Sequence, residues 1–353
     1  FFQYINFMNI GIIGSGFFGI TLGLILSKKH NVTIYEKKND ILQGASRINQ
    51  FRFHRGYHYP RSIKTIKEIQ KSYNDFIKFY GNDIFSKTDN YYAIASENSK
   101  INFNEYIKIL RKNHLTFKLV KNKKYISNKI SGLILSNEKN LNYFKLKKKI
   151  KKMIKKNKNL KIIFNYKINK STAKRYDKVF IVTYQNNNHV LKKLGFRASK
   201  KYKFELIEKI IVELKKPLRK KSFVVADGKF VCIDPYLGTK YHLLSDVLHS
   251  KLEVFEGYDP RFKAHQKKLI DKNGINKVNK SNFNDFLSHS SEYLPFLKNA
   301  KFIKSLFIVR TLKRNVEKTD ERTSEFTKIN NKYYTILSSK WNTCVTLAKK
   351  IEK

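Results

Sequence analysis

Three glycines, an acid and a histidine-bearing segment are the residues of this chain whose types and spacing could do chemistry. The glycines form Gly14-x-Gly16-x-x-Gly19, directly after the apolar run Ile10 to Ile13. An apolar helical pattern follows through Ile20, Leu22, Leu24, Ile25 and Leu26, then a second strand pattern, Val32 to Tyr35, that ends in Glu36. This order of strand, turn, helix, strand and terminal acid is the dinucleotide-binding fingerprint, and each part has a physical task. Gly14 permits the tight turn off the strand. Gly16 has no side chain, so backbone can approach a pyrophosphate. Gly19 lets helix and sheet pack closely. The helix N-terminus presents free N–H groups and partial positive charge to phosphates. Glu36 lies 17 positions past Gly19, placed to accept hydrogen bonds from a ribose diol.

Two further stretches narrow the reading. One runs from Ala45 to Ser62 and carries the pattern His54-x-Gly56-Tyr57-x-Tyr59-Pro60-x-Ser62. The other, Ser338-Ser339-Lys340-Trp341-Asn342-Thr343, opens a terminal helix. With the fingerprint, these stretches resemble the D-amino-acid-oxidase-like superfamily of FAD-dependent oxidoreductases, which includes glycerol-3-phosphate dehydrogenase and L-2-hydroxyglutarate oxidase. The 54–62 pattern is similar to the segment that passes under the flavin in hydroxyglutarate-type members. The 338–343 turn matches the family's Gly-Gly-Lys-aromatic-Thr-Thr turn, and Arg310-Thr311 resembles its C-terminal arginine region ahead of Asp320-Glu321-Arg322. The resemblance spans most of the chain, more loosely through its middle. The chain departs from the family at Thr183-Tyr184-Gln185, where small residues are usual, and at Ser338 and Ser339, where glycines are common.

The resemblance implies FAD as cofactor. It implies cofactor contacts from Gly14, Ser15, Gly16, Phe18, Gly19, Glu36, Lys37, Ile168 and Thr183. Ser46, Asn49 and Gln50 would meet pyrophosphate or ribityl oxygens. Ser339, Lys340, Trp341, Asn342 and Thr343 would lie by the ring, where a helix N-terminus and the Lys340 cation stabilise developing negative charge. The same Ser-Ser-Lys turn could also be an ordinary capped helix start. In this family a hydride passes from a substrate C–H to the flavin. His54 is the candidate for taking the accompanying proton, because imidazole titrates near neutrality; the alternative is a packed histidine that orients the cofactor. His58 is a weaker candidate. Tyr59 would line the pocket or lie in the core. Arg310 would pair a substrate carboxylate or phosphate, or else form a buried salt bridge. His242 reads as core or surface.

These residues need two kinds of element to hold them. Buried parallel strands are expected at 160–168, 176–183 and 333–337. Helices are expected at 62–81, 102–112 and the lysine-rich 145–158, with a strand at 88–96. Between 204 and 249, four strand-like runs with Asp227-Gly228 as a hairpin turn suggest an inserted antiparallel sheet. Residues 260–298 read as helical, interrupted at Asn273-Gly274. The expected class is α/β: a Rossmann-like FAD-binding domain (8–62, 143–200 and 305–353) with an inserted, mostly antiparallel substrate domain (63–142 and 201–304). Residues 1–7 read as an upstream extension before Met8.

A formal charge of +47 raises nucleic acid or an anionic membrane surface as partners. The excess is mostly lysine, spread over the whole chain and accompanied by asparagine and isoleucine, which is what A/T-rich codon usage produces. Nucleic acid is therefore not the expected partner, while peripheral membrane contact stays open. The expected partners are a small anionic substrate and an electron acceptor: oxygen, a quinone or a carrier protein. Two cysteines imply no disulfide framework and a reducing, cytoplasmic setting. No metal site is expected from spacing. A flavin-dependent sugar-nucleotide mutase and a cofactor-free basic binding protein are the rival readings.

Overall fold

The computed structural model describes residues 7–271, 274–316, 319 and 321–353. Residues 1–6 of the upstream extension, Asn273 and Asp320 lie outside the described residues. A six-stranded sheet comprises β1 (Asn9–Ile13), β2 (Asn31–Tyr35), β9 (Leu160–Ile163), β10 (Lys178–Ile181), β17 (Glu325–Lys328) and β18 (Tyr333–Leu337). Their order is β17-β18-β10-β1-β2-β9, and every neighbouring pair is parallel except β17 on β18. The expected parallel strands are all in this sheet. Their apolar character follows from coverage on both faces.

Helix α1 (Phe17–Leu26) is buried at all ten positions, so it is apolar around its whole circumference rather than striped. Helix α9 (Cys344–Glu352) packs along it. Helix α2 (Ile63–Tyr80) starts at Ser62, whose hydroxyl accepts the Thr65 N–H, and packs on α9 as well. Helix α4 (Tyr143–Lys155) is capped by Asn142 and buries Tyr143, Leu146 and Ile150, with most of its lysines turned to water. The lysine run is thus an amphipathic helix, starting two residues earlier than the pattern suggested. Short helices α5 (Lys170–Lys174) and α6 (Asn187–Lys193) flank β10 in sequence.

A nine-stranded sheet holds β5 (Asp89–Ala95), β6 (Phe117–Leu119), β7 (Ile130–Ser136), β11 (Tyr202–Glu213), β12 (Lys221–Ala226), β13 (Val231–Pro235), β14 (Tyr241–Asp246), β15 (Lys251–Gly257) and β16 (Lys301–Leu312). It is antiparallel apart from β5 beside β12. The Asp227-Gly228 turn does join two antiparallel strands. Strand β11 is the spine: β16 pairs along nearly all of it on one side, and β15 and β14 share the other. The domain boundary expected at residue 305 therefore falls inside β16, a strand of the larger sheet. Helices α3 (Phe103–Lys112), α7 (Ala264–Asp271) and α8 (Phe283–Tyr293) accompany this sheet. A small third sheet pairs β3 (Arg52–Phe53) and β4 (Phe85–Ser86) on either side of β8 (Lys139–Leu141).

Side chains alternate along β11, and the alternation sorts two interiors. Ile210 and Val212 belong to a core with Phe223, Phe283 and Phe286. Ile211 belongs instead to the core built by α1, β1 and α9. One face of the large sheet thus roofs the nucleotide-binding layer, and Glu205, Lys209 and Ile211 share that face. His242 faces the other way: it is buried, and its Nε2 lies 3.0 Å from the Leu218 carbonyl oxygen.

A Cβ on Gly19 would stand 1.9 Å from the Gly14 carbonyl oxygen, so Gly19→Ala must lift α1 from β1. We expect a loss of about 2–3 kcal/mol in a denaturant melt. Burial pushes the His242 pKa down to about 4. The unfolded chain takes up that proton as pH falls through about 6.5, whereas the folded chain does so only near the lower value, so stability present at neutral pH is lost on acidification. His242→Gln should reduce the stability lost between pH 7.5 and 5 by about 2 kcal/mol, read from paired denaturant melts.

Candidate cofactor and active site

The glycine turn has the geometry the fingerprint requires. Gly14 has φ +105°, and a Cβ there would lie 2.6 Å from the Val182 carbonyl oxygen. Gly16 is the open position: beyond its chain neighbours, a Cβ would meet only Ser46 Oγ, at 3.2 Å. Ser46 Oγ in turn accepts the Phe17 N–H at 3.0 Å, so it sits over the N-terminus of α1. Phe18 is buried in the helix behind. Glu36 closes the other side. Its Oε2 accepts the Ser15 N–H at 2.9 Å and the Ser15 hydroxyl at 2.7 Å, and its Oε1 accepts the Lys38 N–H at 2.9 Å. Lys37 is exposed, whereas Ile168 is buried against Ile13 and Tyr35. Thr183 adjoins Gly14 and is held by Asn187 Oδ1, which accepts both its N–H at 2.8 Å and its hydroxyl at 3.0 Å.

The two distant stretches meet this turn. Trp341 lies with its ring 5.7 Å from Phe17 and 5.5 Å from Phe53, centroid to centroid. Thr21 and Cys344 are 3.2 Å apart across α1 and α9. Asn342 Nδ2 donates to the His54 carbonyl at 3.1 Å, and the Lys340 ammonium lies 4.6 Å from the centre of the Tyr59 ring. Ser339 Oγ donates to the Arg322 carbonyl, and Thr343 Oγ1 donates to the Lys340 carbonyl at 2.9 Å. Fingerprint, histidine segment and terminal turn therefore form one site.

Its polar atoms are under-used. Gln50 Oε1, His54 Nδ1, His58 Nδ1, Tyr59 Oη and Asn342 Oδ1 are all buried without a hydrogen-bond partner. Four of them, from His54, His58, Tyr59 and Asn342, share one neighbourhood, at a cost on the order of several kcal/mol unless a group supplies partners. A polar-edged ring with both donors and acceptors is such a group, so the donor set fits the cofactor that the fingerprint implies. Gln50 is otherwise anchored to the large sheet, donating to the Leu243 carbonyl at 3.2 Å. Asn49 instead holds its own loop, donating to the Ser46 carbonyl at 3.1 Å and accepting the Phe51 N–H at 2.8 Å.

Electrostatics set protonation states here. Burial, with Lys340 and Arg52 nearby, pushes the His54 pKa well below the usual imidazole range. His58 is pushed down by burial, His54 and Lys340. Both imidazoles are neutral at pH 7, which leaves each one lone pair for a proton. Burial lowers the Lys340 pKa to about 8. His54 Nδ1 lies 3.8 Å from Glu138 Oε1, and burial raises the Glu138 pKa.

Sequence reasoning missed the structure beneath His54. Arg52 is only 1% exposed, and its guanidinium meets Asp234 at 2.7 Å, Ser222, and Glu138 at 3.8 Å. Burial opposes this cation, but the Asp234 and Glu138 carboxylates more than offset that and keep it protonated. Glu138 also accepts the Tyr92 hydroxyl at 2.7 Å and the Arg55 N–H at 2.8 Å. Lys209, buried on the roofing face, is held by Ser245 Oγ at 2.8 Å, and burial lowers its pKa. No motif announces these residues, since each lies within an otherwise ordinary strand or turn. Arg310 is on the same face, but its Nε donates to Glu205 Oε2 at 2.6 Å, a cross-strand pair. Glu205, set opposite it by the β11–β16 register, is a partner that the linear sequence does not reveal.

No protein-family model matches the chain. Over 114 residues it is 29% identical to the FAD-dependent monooxygenase FPY4 of Fusarium mangiferae, covering 32% of this chain and 31% of that protein. Over 74 residues it is 39% identical to the FAD-dependent monooxygenase kojA of Aspergillus flavus, covering 21% of this chain and 17% of that protein. The chain thus spans less than a third of these curated relatives. Among solved structures it is similar to glycine oxidase from Geobacillus kaustophilus, with TM-score 0.68 and 13% identity over 97% of this chain and 92% of that one. L-proline dehydrogenase from P. horikoshii gives TM-score 0.68 and 13% identity over 98% and 92%. The L-alpha-glycerophosphate oxidase of Mycoplasma pneumoniae, solved with FAD bound, gives 0.66 and 14% over 98% and 93%. The chain thus has the fold of these solved proteins, that of the D-amino-acid-oxidase-like flavoproteins.

Proposed function

We propose that this chain is an FAD-dependent oxidoreductase that oxidises a C–H bond of a small anionic 2-hydroxy or 2-amino acid, or of a sugar-linked analogue. The observation that carries the reading is the set of unpartnered buried polar atoms where the glycine turn, the His54 segment and the terminal turn meet. The solved neighbours, a glycine oxidase, an L-proline dehydrogenase and a glycerophosphate oxidase, support the reaction class. The mutase and cofactor-free readings draw no support from them.

When bound, FAD supplies the electron-accepting ring that takes the hydride. The chain's own residues hold, orient and move protons. Gly16 and the N–H groups opening α1 hold the diphosphate. Glu36 retains lone pairs beyond its bonds to Ser15 and Lys38, enough to accept from a ribose diol. Gln50 Oε1, Asn342 Oδ1 and Tyr59 Oη orient the ring edge and substrate. Lys340 and the turn at 341–343 balance negative charge on the ring side. Neutral His54 takes the substrate's hydroxyl or ammonium proton, with Glu138 behind it to steady the imidazolium. Lys209 is the cation of the roof that attracts the substrate anion, Arg310 being engaged by Glu205.

Among the described residues no helix is long and apolar enough to cross a membrane. The proposal puts the enzyme in a reducing compartment such as the cytoplasm, with oxygen, a quinone or a carrier protein as electron acceptor. Peripheral contact of its lysine faces with an anionic membrane belongs to the quinone case.

The test is the visible spectrum of the purified chain supplied with FAD. We expect a yellow protein whose flavin band bleaches anaerobically with one member of a panel of hydroxy and amino acids. A chain that takes up no FAD overturns the reading. His54→Gln should slow flavin reduction by about 100-fold or more while FAD content stays the same. An unchanged rate would leave His54 as a packing residue.

A further inference from the structure

A second cluster of ionisable side chains lies at the far end of β14, outside the site above. Asp246 is the last residue of that strand and is 0% exposed. His249 follows three residues later, in the turn before β15. His289 comes from α8, 40 positions further on. The Nδ1 atoms of both imidazoles are aimed at the same carboxylate oxygen: Asp246 Oδ2 lies 3.1 Å from His249 and 2.7 Å from His289. All three potential ligand atoms lie within 4.8 Å of one another. The other carboxylate oxygen is already committed, accepting the Leu248 N–H at 2.7 Å and the His249 N–H at 3.2 Å.

Each ligand is held by its surroundings. The Asp246 carboxylate is fixed by the turn amides. Asn282, at the start of α8, donates to the His249 carbonyl at 3.1 Å and ties the turn to the helix. The His289 ring stands edge-on to Tyr293 at 5.5 Å. The two imidazole rings are 5.3 Å apart and cross at 74°.

Charge sharpens the argument. The chain carries 74 lysines and arginines. Among the described residues none of them pairs with Asp246; its ionic partners are the two histidines. A fully buried carboxylate needs compensating positive charge. In this chain that charge must come from imidazolium or from a bound cation. Two imidazole nitrogens and one carboxylate oxygen are a ligand set for zinc-class divalent transition metals, whose bonds of about 2.0–2.2 Å put neighbouring ligand atoms about 3.3 Å apart in a tetrahedron. The spacings from Asp246 Oδ2 to the two imidazoles, 3.1 and 2.7 Å, need to open by about 0.2 and 0.6 Å, and the two imidazole nitrogens lie no more than 4.8 Å apart.

We infer that Asp246, His249 and His289 form a binding site for one divalent transition-metal ion of the zinc class, clamping α8 to the turn between β14 and β15. The His249 side chain is 30% exposed, so the fourth position faces solvent and takes water. The site is independent of the flavin reading, and sequence spacing gives no sign of it, because His289 lies 43 positions from Asp246.

The experiment uses the full chain, treated with EDTA, desalted and titrated with zinc and, separately, cobalt ions at pH 7.5. We expect one ion per chain with micromolar or tighter affinity and a rise in melting temperature with zinc concentration. The cobalt form should show the visible absorption of four- or five-coordinate cobalt without a thiolate band. His249→Ala and His289→Ala should each weaken zinc binding at least ten-fold, with flavin content unchanged. Absence of stoichiometric binding, affinities unaltered in both variants, or a cobalt spectrum of purely octahedral type would overturn the site. Should either variant fail to fold, the wild-type stoichiometry and cobalt spectrum decide the matter alone.

Discussion

Packing of the last helix on the first is the contact on which the rest of the structure depends. Trp341 fills the space between Phe17 at the start of α1 and Phe53 on the histidine segment. Thr21 and Cys344 seal the next turn of the same contact. Without it the glycine turn would still form, because its geometry is local. The ring side of the site would not, because Lys340 and Asn342 reach Tyr59 and His54 only when the chain's end is brought back. The absence of a side chain on Gly19 is the other half of the constraint: α1 must lie against β1 for its far face to receive α9.

The histidine segment is stiffened by a buried ionic network as well as by the packing of Phe53 and Tyr57. Arg52, Asp234 and Glu138 are almost completely withdrawn from water, which is costly unless each charge has partners. Here the partners come from three places: β3, the loop entering β8, and β13. The network therefore ties the small sheet to the large one beside His54. Such an arrangement adds little net stability, but it fixes one register, and a proton-handling imidazole needs a fixed position more than it needs extra binding energy. Arg52 also works with burial and Lys340 to keep His54 neutral.

Much of the fold was legible in the residues. The all-apolar α1, the buried parallel strands and the Asp227-Gly228 hairpin are each written in a local pattern. The lysine-rich segment was also correctly read as a helix, because Leu146 and Ile150 recur at helical spacing while most of the lysines face water. Strand β16 was not recognised, since Lys301, Lys304 and Arg310 break its apolar run and its partner β11 lies nearly a hundred positions upstream. The same non-local pairing decided the fate of Arg310. As an isolated arginine it suited a substrate anion; the register sets it against Glu205.

What the sequence determined by itself was what short-range physics controls: a turn that only glycine can make, the helix it opens, and the acid at the end of the next strand. Tertiary structure decided everything that depends on charges and lone pairs from distant positions sharing a small volume. It made Ser46 a cap for α1, set Glu138 behind His54, left four polar atoms around His54 without partners, and gathered Asp246, His249 and His289 around one point. Burial and register are properties of the folded chain. They alone determine whether a histidine is charged, whether an arginine is already engaged, and whether three separated side chains can share one ion.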